Sequence, residues 1–294
     1  MMQPPPVATA ATTTKQIIDP AEIVRHLHNL PPLSSVVVDL LKSIDQEDID
    51  IHTLASKVSH DQALTAKTLR FANSPFFGSQ LKITTIQQAI SLMGVQTIRH
   101  LITATALASH FPESKCPGFD SHAFWRHAIA TAVCCRVLAM HLHLNQDYAF
   151  TAGLLHDIGR LVLVSRFPNE YAVAIAYRSS NDCNLLDAEQ STLGTDHVAA
   201  GVALAIHWNF SEIIQKAIAG HHTPETFGKA SIASIVHVAN SIVHALDLSG
   251  EKDDMVAPVS KTAWDNLGMR EKDYHHIFRE TEMEFEAVSQ ALLN

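Results

Sequence analysis

The chain has 294 residues, 47% of them hydrophobic and only 17% charged, with a formal net charge of -9 when its 19 histidines are counted neutral. That length suits one large domain or two small ones with ample material for a core. The acidic balance argues against a nucleic-acid ligand, because phosphate backbones need a basic face. The low charged fraction points to extensive burial or to apolar surface that meets a partner.

Cys116, Cys134, Cys135 and Cys183 show no CxxC spacing and suggest no secreted disulfide framework. The vicinal Cys134-Cys135 pair sits in an apolar helical run and reads as small core residues. The N-terminus lacks the apolar region of a signal peptide, and no run of about eighteen apolar residues occurs. A cytoplasmic protein without membrane insertion is expected.

Residues 1–14 are rich in Pro, Ala and Thr without periodicity, which predicts a disordered tail. A helix begins near Pro20, a first-turn proline, and breaks at Leu30-Pro31-Pro32-Leu33. Val36 to Val38 reads locally as a strand, but the DLLKSI continuation favours a helix. Ser59 to Gln62 and Thr84 to Gln87 match capping boxes, in which a hydroxyl and a Gln satisfy orphan amides at a helix start. Gly94 splits the following run in two. Residues 112–120, with two prolines and a glycine, form the clearest break.

Past that break come a long helix around FWRHAIATAVCC and an apolar pattern holding His156-Asp157, which Pro168 stops. Further helices cover residues 185–207 and 230–247, and Asn209 to Glu212 is a third box. The last helix carries Glu280, Glu282, Glu284 and Glu286 on a solvated face, with Phe278 and Phe285 inward. With no strand–helix alternation, the fold class is all-α. Its two helical lobes comprise a short-helix bundle over residues 15–115 and a second bundle over 116–248. Residues 249–294 form a linker and C-terminal helix.

An ionisable His-Asp pair inside an apolar pattern needs compensation, and alone it is more simply a satisfied core pair. The other histidines change those odds. His127, His156-Asp157, His197 and His221-His222 lie on separate helical segments, and the 230–247 helix adds His237 and Asn240. One or two ligands per helix is how a bundle builds a metal site. Imidazoles with a carboxylate favour a first-row transition metal, Fe, Mn or Zn. Arg160, one turn past His156, could meet a phosphate, although a helix-surface ion pair is the simpler reading. Trp125 and Trp208 read as core, and Asn73 as a helix C-cap.

At these residues the chain resembles the HD superfamily of metal-dependent phosphohydrolases, and within it the HDOD family, over roughly residues 25–225. The resemblance rests on Leu30-Pro31-Pro32-Leu33, LRFANSPFF with its Asn73-Ser74 pair, ITTIQQAISLMGVQTIRHL and FWRHAIATA. It continues through FTAGLLHDIGRLVL and the Glu189, His197, Trp208, His221-His222 succession. It implies a bacterial signalling scaffold, non-catalytic, that binds a protein partner with or without a metal or nucleotide, the partner in trans being a signalling protein such as a cyclic-di-GMP enzyme or response regulator. The alternative is a phosphohydrolase or phosphodiesterase acting on a nucleotide or cyclic dinucleotide.

The chain also departs from the catalytic pattern. Asn240 stands where the superfamily has a ligating Asp, and Ala123 where HD-GYP enzymes have a Glu. HHTPETFGKA replaces their HHE…GYP signature, and Arg160 replaces a Lys. Losing a carboxylate removes charge that holds a metal and helps it activate water.

Overall fold

The computed structural model describes residues 16–30, 33, 38–39, 51–59, 61–73, 82–111, 114–228, 231–252 and 255–293. The 1–14 tail, Pro31-Pro32, most of the 34–50 stretch and Ser74 to Phe77 lie outside those residues. Every regular element among the described residues is a helix, so the all-α expectation holds. The first half carries α1 (Pro20–Leu27), α2 (Ile51–Ser59), α3 (Gln62–Ala72), α4 (Ile86–Met93) and α5 (Val95–His110). Then follow α6 (Ser121–His141), α7 (Gln146–Leu155), α8 (Ile158–Arg166), α9 (Pro168–Asn181) and α10 (Leu185–Leu193). The chain ends through α11 (His197–His207), α12 (Glu212–Gly220), a 3-10 turn (Pro224–Phe227), α13 (Ile232–Ala245), α14 (Lys261–Leu267) and α15 (Glu271–Leu293).

Three helix starts differ from their sequence reading. Ser59 ends α2, its hydroxyl donating to Ala55 O at 2.7 Å, and Asp61 instead caps α3 by accepting from Leu64 N at 3.0 Å. A capping box does open α4, one residue later than expected, with Thr85 taking the Gln88 amide and Gln88 the Thr85 amide. Two threonines face two glutamines there, so either register satisfies the motif. Burial of Ile86, Ala89, Ile90 and Met93 selects the observed one. Asn209 has φ 55, a left-handed turn after α11, and the Ser211 side chain makes no cap bond. Pro168 both stops α8 and occupies the first turn of α9, where its missing amide costs nothing.

α6 and α7 are buried on nearly every side, as helices without a polar face must be. Among the described residues α6 is the one helix long and apolar enough to cross a membrane, yet 83% of its apolar window is buried inside the molecule. Cys134 and Cys135 are core residues as expected, and burial pushes the Cys134 thiol up to about 12. α15 lies along α6 and reaches α3 and α5. Its acidic face is only partly solvated: Glu284 pairs with Arg136, and Glu280 sits 3.3 Å from His141 Nε2. Phe285 packs inward, and Phe278 is partly buried.

α5 meets α7 through a buried charge cluster. Arg99 pairs with Asp147, and His100 Nε2 lies 2.7 Å from Asp147 Oδ1 while its ring stacks on Phe150 with centroids 4.1 Å apart. Desolvation outweighs Asp147 and holds His100 below its ordinary 6.5. A depressed folded value means that the unfolded chain binds the proton more readily. Stability is therefore full above about pH 6.5 and falls as pH drops through the folded value. Urea midpoints of chelator-treated protein should decline from pH 7 toward 5, less steeply in His100→Gln. Identical slopes in the two proteins would remove His100 from this account.

Candidate metal centre

Three helix boundaries and the middle of one long helix deliver the histidines. The apolar pattern around His156-Asp157 is not one helix. His156 is the C-cap of α7 and Asp157 the N-cap of α8, and Asp157 makes no side-chain cap bond. Its carboxylate is thereby left to the interior. Asp196 caps α11 by accepting from Ala199 N at 2.8 Å, which places His197 in the first helical position. His221 follows Gly220 at the end of α12, and His127 projects from the middle of α6.

Glycine sets how closely these helices approach. A Cβ on Gly159 would stand 1.9 Å from His197 O and 2.5 Å from Gly201 N, so α8 and α11 touch backbone to backbone. A Cβ on Gly153 would stand 2.8 Å from Ala132 Cα, so α7 lies equally close to α6. The first contact brings His197 to Asp157, and the second brings His127 to His156.

The imidazoles converge on one carboxylate oxygen. Asp157 Oδ1 lies 3.5 Å from His156 Nε2, 3.4 Å from His197 Nε2 and 3.4 Å from His221 Nε2. His197 Nε2 is 3.4 Å from His221 Nε2 and 3.0 Å from His222 Nε2, and His127 Nε2 is 3.3 Å from His156 Nε2. All six residues expected from sequence thus meet at one place. They form two overlapping groups that could hold a metal: Asp157, His197, His221 and His222, and then His127, His156 and Asp157.

Hydrogen bonds fix which ring nitrogens face inward. Nδ1 of His156 donates to Gly153 O at 2.7 Å, that of His221 to Ile218 O at 2.8 Å and that of His197 to Glu189 Oε2 at 2.6 Å. Three Nε2 lone pairs therefore point at a carboxylate, an arrangement of acceptors without donors that a cation satisfies. Metal bonds of about 2.1 Å give ligand separations of roughly 3.0 Å in an octahedron and roughly 3.4 Å in a tetrahedron. The observed spacings match, so the residues fit a first-row transition metal.

Charge within the cluster is shared unequally. Burial drives His127 and His222 far below their ordinary value and lowers His156 to about 4. The same burial acts on His197, but Glu189 and Asp157 outweigh it and raise its pKa to about 9. Asp157 is buried too, yet His156 and His197 hold its carboxyl well below the usual range.

Sequence reasoning left several partners unassigned. Glu189, fully buried, also accepts from the His197 amide at 2.8 Å and from Tyr171 OH at 2.8 Å. It orients His197 as an outer carboxylate does in many metal sites. The His244 ring lies 4.5 Å from that of His127. His237 is not a ligand: its Nδ1 donates to His221 O at 2.7 Å and its Nε2 accepts from Ser260 N at 2.8 Å. Asn240 is buried, and its side-chain oxygen has no hydrogen-bond partner. Arg160 is no surface residue. It is buried 3.3 Å from Asp157 and 3.5 Å from Glu251, with its guanidinium near the Phe119 and Phe124 rings.

A helical bundle with a histidine-rich centre at an interrupted His-Asp helix pair is the architecture of HD-type metal proteins. The family profile of the HDOD domain matches residues 30–224, and the chain belongs to that family. A Treponema pallidum protein of uncharacterized function is 26% identical over 258 residues, 84% of this chain and 48% of its own. The cyclic di-GMP phosphodiesterase CdgJ of Vibrio cholerae is 24% identical over 179 residues, 58% of this chain and 40% of its own. The chain therefore spans about half or less of the curated relatives it matches. A Geobacter sulfurreducens HDOD protein of unknown function shares the fold at TM-score 0.79 and 24% identity, over 92% of this chain and 96% of its own. A candidate phosphohydrolase of Shewanella amazonensis gives TM-score 0.71 and 27% identity over the same shares.

Proposed function

We propose that this chain is a bacterial signalling scaffold whose metal centre pins the helices and whose output is binding of a protein partner in trans, without turnover. The partner class is a signalling protein, such as a cyclic-di-GMP enzyme or a response regulator. Family membership supports the signalling role. The non-catalytic reading is carried by the carboxylate count. Among the described residues Asp157 alone contributes a carboxylate to the two ligand groups, because Glu189 is spent on His197. Asn240 offers only a neutral oxygen, and Ala123 offers none.

His127, His156, Asp157, His197, His221 and His222 would hold Fe, Mn or Zn. Such an ion, when bound, supplies Lewis acidity and can lower the pKa of water. The protein's part is to aim Nε2 lone pairs, exclude solvent and hold the net charge. A site with one carboxylate and five imidazoles suits an ion that organises structure.

The full set of histidines and the likeness to a named phosphodiesterase favour hydrolysis as the second reading. Metal-reconstituted wild type, His156→Ala and Asn240→Asp should be assayed on cyclic-di-GMP and a chromogenic phosphoester. Wild type is expected to match the metal-only blank. Wild-type turnover that disappears in His156→Ala would establish the hydrolase and end the scaffold reading. Activity in Asn240→Asp alone would locate the loss of catalysis in that residue.

A further inference from the structure

Away from the buried centre, two helices bring together a second set of metal-ligating groups. His141 stands in the last turn of α6, and His276 and Glu280 share one face of α15 at i,i+4 spacing. Glu280 Oε2 lies 3.3 Å from His141 Nε2 and 3.7 Å from His276 Nε2. The two imidazoles meet edge-on with centroids 5.4 Å apart. One ligand atom from each of the three residues thus falls within 4.8 Å of the other two.

Hydrogen bonding alone leaves this arrangement half used. At 3.7 Å His276 Nε2 is beyond hydrogen-bond reach of Glu280, and a side chain 66% exposed gains little from a surface ion pair. An ion with bonds of about 2.1 Å holds tetrahedral ligands roughly 3.4 Å apart, which lies between the two observed spacings. The surroundings also favour positive charge. α15 carries more acidic than basic side chains, and the last carbonyls of α6 place partial negative charge beside His141. Arg136 also feels Glu280, but its guanidinium is bonded to Glu284, which offsets its charge. Two imidazoles and one carboxylate suit zinc, with water in the fourth position.

We propose that His141, His276 and Glu280 bind a zinc ion that clips the C-terminal helix α15 onto α6. α15 lies beyond the residues 30–224 that the HDOD profile covers. It packs on α3 and α5 as well as on α6, so it braces the two lobes, and the ion fixes that brace at one point. With three protein ligands and an open side toward solvent, the ion exchanges with the medium. Purification without added metal empties the clip, and added zinc refills it. The hold of α15 on the bundle therefore follows the ambient zinc level. The clip shares no residue with the buried centre, so its failure leaves the scaffold reading and the turnover assays untouched.

The test is calorimetric titration of the full, untagged chain, purified without added metal, with zinc chloride. Wild type should take up one equivalent beyond its resident ion. His276→Ala and Glu280→Gln should each weaken that uptake at least tenfold while keeping the resident ion. Asp157→Asn, altered only in the buried centre, should retain the same zinc affinity within twofold. Uptake unchanged in His276→Ala, or no uptake beyond the resident ion, would overturn the site. An equivalent lost in Asp157→Asn and kept in His276→Ala would assign it to the buried centre and overturn the site equally. The exposure of His276 makes its Ala variant the one safest for folding. Hydrogen exchange reads the clip itself: zinc should slow amide exchange in α15 of wild type and not of His276→Ala. Equal slowing in both proteins, or none in either, would overturn the clip.

Discussion

Gly159→Ala is expected to cost at least about 3 kcal/mol and to lower the Tm by roughly 10 °C, with loss of the metal centre. On propensity alone the change should help, since Ala is favoured over Gly in a helix by about 1 kcal/mol. The clash decides the sign. The new Cβ would meet His197 O at 1.9 Å and Gly201 N at 2.5 Å, and both are backbone atoms that no rotamer change can move. α8 and α11 must separate, which carries His197 away from Asp157. Gly201→Ala provides the contrast, because its Cβ meets the Ile218 side chain at 3.0 Å and Gly159 N at 3.3 Å. It should cost less, and thermal melts of the pair measure the difference. Equal Tm values in Gly159→Ala and wild type would show that the helices can part without loss.

This glycine contact marks where sequence reading stops. The histidines were legible because imidazole is an unusual group to place on consecutive apolar helices, and all six expected ligands converge. The helical class was legible from apolar periodicity. What the sequence could not show was distance. Nothing in the sequence singles out Gly159 or Gly153, yet each is a point of backbone contact that sets the geometry of the centre. Glu189 was visible only as part of a family succession. Its role comes from folding eight positions back onto His197, and no periodicity reports that.

Arg160 failed for a related reason. Its spacing from Asp157 is that of a surface i,i+3 pair. The residues that bury it, Phe119, Phe124 and Glu251, come from a loop before α6, from α6 and from the chain after α13. Capping boxes misplace by a residue or more wherever two candidate hydroxyls adjoin, as at Thr84-Thr85, because burial of the helix face outweighs the cap itself. A cap contributes about 1 kcal/mol, less than misplacing two buried aliphatic side chains, each about 1.5–3 kcal/mol.

Untagged wild type purified without added metal is expected to carry about one transition-metal ion per chain, and Asp157→Asn to carry almost none. Asp157 Oδ1 is the common neighbour of His156, His197 and His221, and its charge is what the converging lone pairs need in order to favour a cation. An amide in its place keeps the size and removes the charge. Glu189→Gln tests the outer layer. It leaves every direct ligand in place but weakens the hold on the His197 Nδ1 proton, and outer partners of this kind are typically worth 10–100-fold in metal affinity. Competition with a chelator of known affinity, read by elemental analysis, should rank the proteins as wild type, Glu189→Gln, Asp157→Asn. The bound ion should also raise the Tm of wild type by mass action, an increment that shrinks in the same order. Asp157→Asn retaining a full equivalent of metal would place the ion elsewhere on the chain. The partly exposed His141, His276 and Glu280 group between α6 and α15 would then be the next place to look.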